Sequence, residues 1–174
     1  MNKLLSLLFI VLMFTGCYVG DKHLYPDVLL TTAPNEEDKL QYLKSGEPFT
    51  GTQTYRYTKT DSLYSVTTFQ EGFRSQSTGY SQDNGSVLWR IAFIGSEISK
   101  REEYYADGTK KMEWLLAGPG VEESYTKYWH ENGQLSFEMF WNEQNQYHGV
   151  MTKWDEEGNI LEQESYENGL QVSL

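Results

Sequence analysis

The residues of this chain whose types could do chemistry are 25 carboxylates, three histidines and one cysteine among 174 residues. Glycoside hydrolysis needs paired carboxylates, but the densest acidic group, Asp155-Glu156-Glu157, falls in a predicted exposed turn. His23, His130 and His148 lie far apart in sequence. His130 stands beside a predicted turn and His148 beside Gly149, places for surface residues rather than metal ligands. No glycine-rich phosphate loop, nucleophile elbow or His-Glu-x-x-His zinc motif occurs. The chain therefore reads as a binding or structural protein, not an enzyme, with no cofactor and no metal. The one thiol, Cys17, has no partner for an intrachain disulfide, so stability must come from packing alone.

The position of Cys17 is more informative than its reactivity. Lys3 is the only charge before it, followed by an apolar stretch from Leu4 to Phe14 broken only by Ser6, then Thr15 and Gly16. That order of basic start, apolar run and small residues is a secretory signal. A membrane-spanning helix needs about 20 apolar residues, so a permanent anchor helix is the weaker reading. Phe14-Thr15-Gly16-Cys17 resembles the lipobox of bacterial lipoproteins, with Phe14 where Leu is usual. The resemblance implies cleavage before Cys17, lipid on its sulfur, and a membrane held through that lipid. A lone cysteine after an ordinary secretory signal is the alternative. Tyr18 stands where an Asp often retains lipoproteins in the inner membrane, so the outer membrane is expected where two exist.

Removing Lys3 leaves 13 basic against 25 acidic residues, a net charge of −12. The excess is concentrated from Glu122 onward, where eleven carboxylates face only Lys127 and Lys153. Nucleic-acid binding depends on neutralising phosphates and is not expected. The acidic segment reads either as a solubilising surface or as a face for a basic protein partner. Alternate residues on a strand share a face, so Glu162 and Glu164 are expected together, with Glu138 on a neighbouring strand. These three, with Trp129, Trp141 and Trp154, are the candidate binding residues.

The elements that must carry these residues are marked by glycines. Asn84-Gly85, Asp107-Gly108, Asn132-Gly133 and Glu157-Gly158 recur at intervals of 23, 25 and 25 residues, and Gly72, Gly95, Gly118, Gly149 and Gly169 lie between or after them. Asn-Gly and Asp-Gly suit tight two-residue hairpin turns with positive φ. Alternating apolar positions follow each turn: Val87, Trp89, Ile91 and Phe93; Met112, Trp114 and Leu116; Leu135, Phe137, Met139 and Trp141; then Ile160 and Tyr166. An aromatic strand precedes each turn. Helical spacing is absent, so the fold class is all-β, an antiparallel meander of repeated hairpins. Residues 1–16 read as the signal, 17–45 as a tether, and 46–174 as the repeat domain. Within the tether, Asn35 and the acids after it predict a short helix. That helix and the tail Glu167–Leu174 are the expected caps.

Gly46-Glu-Pro-Phe-Thr-Gly51, Tyr104-Tyr-Ala-Asp-Gly-Thr109, Tyr128-Trp-His-Glu-Asn-Gly-Gln-Leu135 and Tyr166-Glu-Asn-Gly169 resemble the MORN-repeat variant family, which includes the YwqK-type antitoxins. The resemblance covers Gly46 to about Gln171. It implies an elongated hairpin sheet and protein binding, with an antitoxin or immunity-like role, and no catalytic residues. Two functions follow: a lipid-anchored protein-binding module, or a structural envelope lipoprotein that supports a larger assembly.

Overall fold

A computed structural model describes residues 17–19, 22–116 and 123–174; the expected signal peptide and Gly118 lie outside them. The described residues are all-β, and among them no helix long and apolar enough to cross a membrane occurs. Thirteen strands form one antiparallel sheet: β1 (Cys17–Val19), β2 (Lys22–Pro26), β6 (Gly51–Tyr57), β7 (Leu63–Gln70), β8 (Phe73–Tyr80), β9 (Val87–Ile94), β10 (Glu97–Tyr104), β11 (Lys110–Leu115), β12 (Ser124–Trp129), β13 (Leu135–Trp141), β14 (Gly149–Trp154), β15 (Ile160–Glu167) and β16 (Leu170–Val172). From β6 onward each strand pairs with the next, as a meander requires. At about 4.8 Å per strand the sheet is roughly 60 Å across. A second sheet, β3 (Thr31–Pro34), β4 (Leu40–Lys44) and β5 (Glu47–Pro48), sits between β2 and β6 in the chain.

The segment expected as a tether with a helix is built into strands instead. β2 pairs with β6, Leu24 opposite Tyr57, so the sheet begins ahead of Gly46. Asn35 does accept backbone hydrogen bonds, from Glu37 N (3.0 Å) and Lys39 N (2.8 Å), but these close a hairpin turn. An Asx turn competes locally with a helix N-cap, and pairing of Leu40–Leu43 with Thr31–Pro34 decides in favour of the hairpin. The expected C-terminal cap is likewise an edge: Leu170 is 72% exposed on β16.

The turns also differ from the expected two-residue type. At Gly108 the amide bonds to Tyr105 O (3.0 Å) while Tyr105 N bonds to Thr109 O (2.8 Å), and Gly133 and Gly158 repeat this pattern. Only the glycine has positive φ; Asp107 and Asn132 before it do not, and their carboxylate and amide oxygens accept from Thr109 N and Gln134 N. This is a type I turn closed by one left-handed residue. Asp38, Asp61 and Asn145 fill the same left-handed slot elsewhere (φ 57 to 59°). Two-residue turns with both residues at positive φ do occur, at Ser45-Gly46, Glu71-Gly72 and Asn168-Gly169. Because Asp and Asn occupy the slot, Gly133→Asn should be tolerated. Gly133→Val, a β-branched residue at φ +85°, should destabilise by about 1–2 kcal/mol. Urea midpoints of the two variants check this, and equal midpoints would refute it.

A bulge recurs before the turns at Asp61, Gly85, Gly108, Gly133 and Gly158, at Tyr55/Arg56, Gly79/Tyr80, Glu103/Tyr104, Tyr128/Trp129 and Lys153/Trp154. One extra residue flips everything beyond it to the other face. Register therefore places Trp89, Glu103, Met112, Tyr128 and Phe137 in one row, and Ile91, Arg101, Trp114, Thr126 and Met139 in a second row on the same, apolar face. Val87, Leu135 and Ile160, which open their strands, are turned to the opposite face beside Tyr80, Trp129 and Trp154. That opposite face carries Arg90, Glu102, Glu113, Lys127 and Glu138 in register across β9 to β13. The single layer has a thin core: Leu24, Tyr57, Phe69 and Met151 are the buried hydrophobics among the described residues. The small sheet packs on Phe69 through Tyr42 and Phe49 (ring centroids 5.0 and 5.6 Å away) and is tied to the turn after β7, where Tyr42 N donates to Gly72 O (2.8 Å) and Gly72 N to Phe49 O (2.9 Å).

Candidate functional site

The bulges divide the candidate binding residues between two faces. Trp141, Glu162 and Glu164 lie on the apolar face, because Trp141 is opposite Ser124, Glu162 opposite Lys153 and Glu164 opposite Met151. Trp129, Trp154 and Glu138 lie on the charged face. The three carboxylates are thus not one repulsive cluster, and each has a partner. Glu138 pairs with Lys127 (3.3 Å), Glu162 with Lys153, and Glu164 accepts from the Tyr166 hydroxyl (2.6 Å). Cys17 opens β1, its backbone opposite Leu24.

On the charged face the tryptophans are structural. Lys110 Nζ lies 5.5 Å from the Trp129 ring, and the Trp129 carbonyl accepts from the Tyr105 hydroxyl (2.8 Å). One repeat later, His130 Nε2 lies 3.0 Å from the Trp154 carbonyl. His130 therefore ties neighbouring turns together, as Asn132 does by donating to Glu156 O (2.8 Å). Between these turns and the sheet centre, Glu102 and Glu113 stand directly opposite each other. Like charges there would repel, but Lys100 and Lys110 each reach both carboxylates, at 3.1 and 3.4 Å from Lys100 and 3.0 Å from Lys110 to Glu102. Burial alone would push the Glu113 carboxyl up. The Lys110 and Tyr125 hydrogen bonds and the two ammonium charges outweigh it and hold the group at about 2. Tyr125 is pushed up to about 12, by burial and then by that same hydrogen bond.

The apolar face offers a surface of a different kind. At its C-terminal end Trp141, Tyr147 and Tyr166 form a continuous aromatic row, with ring centroids 6.0 and 5.4 Å apart. Tyr147 is 42% exposed. Its position is fixed by its carbonyl, which accepts from Gly169 N (2.9 Å) and so joins the loop before β14 to the turn after β15. Tyr147 was not among the candidates. Its signal was an echo: Tyr147-His148-Gly149 repeats Phe49-Thr50-Gly51, where Phe49 O accepts from Gly72 N at the same 2.9 Å. Glu164 stands beside the row, and its Oε1 takes no hydrogen bond among the described residues. The Tyr166 hydroxyl is raised in pKa chiefly by its bond to Glu164.

Among the described residues no group of His, Cys, Asp and Glu is arranged to hold a metal ion. The chain matches no protein-family model, and no curated protein matches its sequence.

Proposed function

We propose that this chain is a lipid-anchored extracytoplasmic module that binds another protein. The apolar face carries the reading: Trp89, Ile91, Trp114, Phe137 and Met139 are only half-buried, and no described element covers them. Uncovered apolar surface of this extent in a single-layer sheet is characteristic of a docking surface. The resemblance of the turns to MORN-repeat variants supports the same class, including an antitoxin or immunity-like role. The lipid reading rests on Cys17. If it is right, Cys17→Ala abolishes palmitate labelling, and equal labelling of both forms would refute it.

The direct test is affinity purification with the anchor intact, comparing wild type with Trp114→Ala/Met139→Ala. A single partner retained by wild type and lost with the variant is the expected result. An unchanged set of partners would overturn the proposal. A structural envelope lipoprotein is the second reading, favoured by one observation. β16 has β15 on one side and no described strand on the other, and it exposes Leu170 and Val172 for lateral sheet contacts. Co-purification with a multi-subunit envelope complex would favour it.

A further inference from the structure

The geometry points to one docking patch for a cationic extended segment: the Trp141–Tyr147–Tyr166 row with Glu164, at the C-terminal end of the apolar face. The inference rests on the protein-binding reading and adds the chemistry and place of the partner.

Three observations converge there. First, the rings are held by each other and by the Gly169–Tyr147 backbone bond, so their order is present before binding. Second, an aromatic face attracts a guanidinium or ammonium group, yet no cation of this chain lies over Trp141, Tyr147 or Tyr166 among the described residues. Cations do cover other rings: Lys127 over Tyr125 and Phe140, Lys110 over Trp129, and Arg74 over Phe93. Third, charge complements the rings. From Glu123 to Leu174 ten carboxylates face two lysines, and both lysines are already committed, to Glu138 and Glu162. Among the described residues no cation pairs with Glu164, which holds only a tyrosine hydroxyl on one oxygen. A basic side chain laid on Tyr147 with its charge toward Glu164 would meet both. Alternate residues of an extended segment would then rest on the half-buried Met139.

The probe is a fluorescein-labelled decapeptide of alternating Arg and Val, titrated by anisotropy against the full lipidated chain in neutral detergent. Glu164→Gln/Tyr147→Ala should weaken binding about tenfold, the combined worth of one exposed ion pair and one cation–π contact. Tyr147→Phe keeps the ring and should restore wild-type affinity in the Glu164 background. The matching pair on the charged face, Glu138→Gln/Trp154→Ala, should stay within about twofold. Raising salt to 0.5 M, where the Debye length is about 4 Å, should narrow the difference between wild type and Glu164→Gln. Equal loss from the charged-face pair would mean unspecific attraction to a polyanion and would overturn the proposal, as would no change from Glu164→Gln. Partner capture that depends on Trp114 and Met139 but not on Glu164 would remove this patch and leave the binding module standing.

Discussion

Gly79→Ala should destabilise the sheet by about 3 kcal/mol, the upper end of what overpacking costs. A methyl group at Gly79 would lie 2.0, 2.2 and 2.4 Å from Cε2, Nε1 and Cζ2 of Trp89, far inside contact distance. Gly79 and Trp89 are directly opposed on β8 and β9, so the indole covers the glycine backbone and takes the place of its missing side chain. Gly79 is not at positive φ, so the effect is one of space and not of backbone strain. The indole is rigid and must swing off the sheet, losing its own burial. A fall in urea midpoint should accompany a red-shifted native tryptophan emission. The cycle with Trp89→Leu separates the causes: in that background Gly79→Ala should cost less than half as much. Additive losses would show that the indole is not what the methyl group meets.

Gly79 also shows what the amino-acid order could and could not reveal. Glycines in turns advertise themselves through Asn or Asp neighbours, and the repeat period was legible from them. A glycine inside a strand, as Gly79 is near the end of β8, has no such neighbour; its reason is a tryptophan ten residues away, visible only once β8 and β9 are in register. The apolar rows were legible too, since Trp89, Ile91, Met112, Trp114, Phe137 and Met139 do share a face. Val87, Leu135 and Ile160 were misplaced because a bulge adds one residue without disturbing the apparent alternation. The pattern reads as continuous while the chain has changed faces.

The same bulges explain why the candidate site was only partly legible. Counting in twos put Glu162 and Glu164 together, as found. It could not place Glu138 and Trp154 on the far side, because register between strands depends on where each bulge falls. Asn35 misled for another reason. Its side chain accepts backbone amides equally well at a helix start and in a hairpin turn, and only the pairing of Thr31–Pro34, just before it, with Leu40–Leu43 selects between them.

Acid should destabilise the protein through Glu113, although lowering the pH also relieves its net negative charge. The Glu113 carboxyl is held at about 2, below its ordinary 4.5, so the folded state favours the ionised form. Its contribution is complete above about pH 4.5 and is lost as pH falls toward 2, on the order of 3 kcal/mol in all. Glu102 is lowered as well, against its burial, by hydrogen bonds from Lys110 and Lys100, so it adds in the same direction. On the alkaline side Tyr125 is pushed up to about 12 and Lys110 is raised. Both hold their protons more tightly when folded, so stability falls as pH rises past about 10. Relief of overall repulsion acts nearly alike on wild type and Glu113→Gln, which share every other charge, so the difference between them isolates position 113. That variant should be less stable than wild type at pH 7, with Lys100 and Lys110 left facing Glu102 alone. The gap should shrink steadily between pH 4.5 and 2, as wild type itself becomes neutral at position 113. Chemical denaturation at half-unit intervals of pH would follow the two curves. A gap that stays constant across that window would mean the buried carboxylate and its two lysines contribute shape to the sheet but not electrostatic stability.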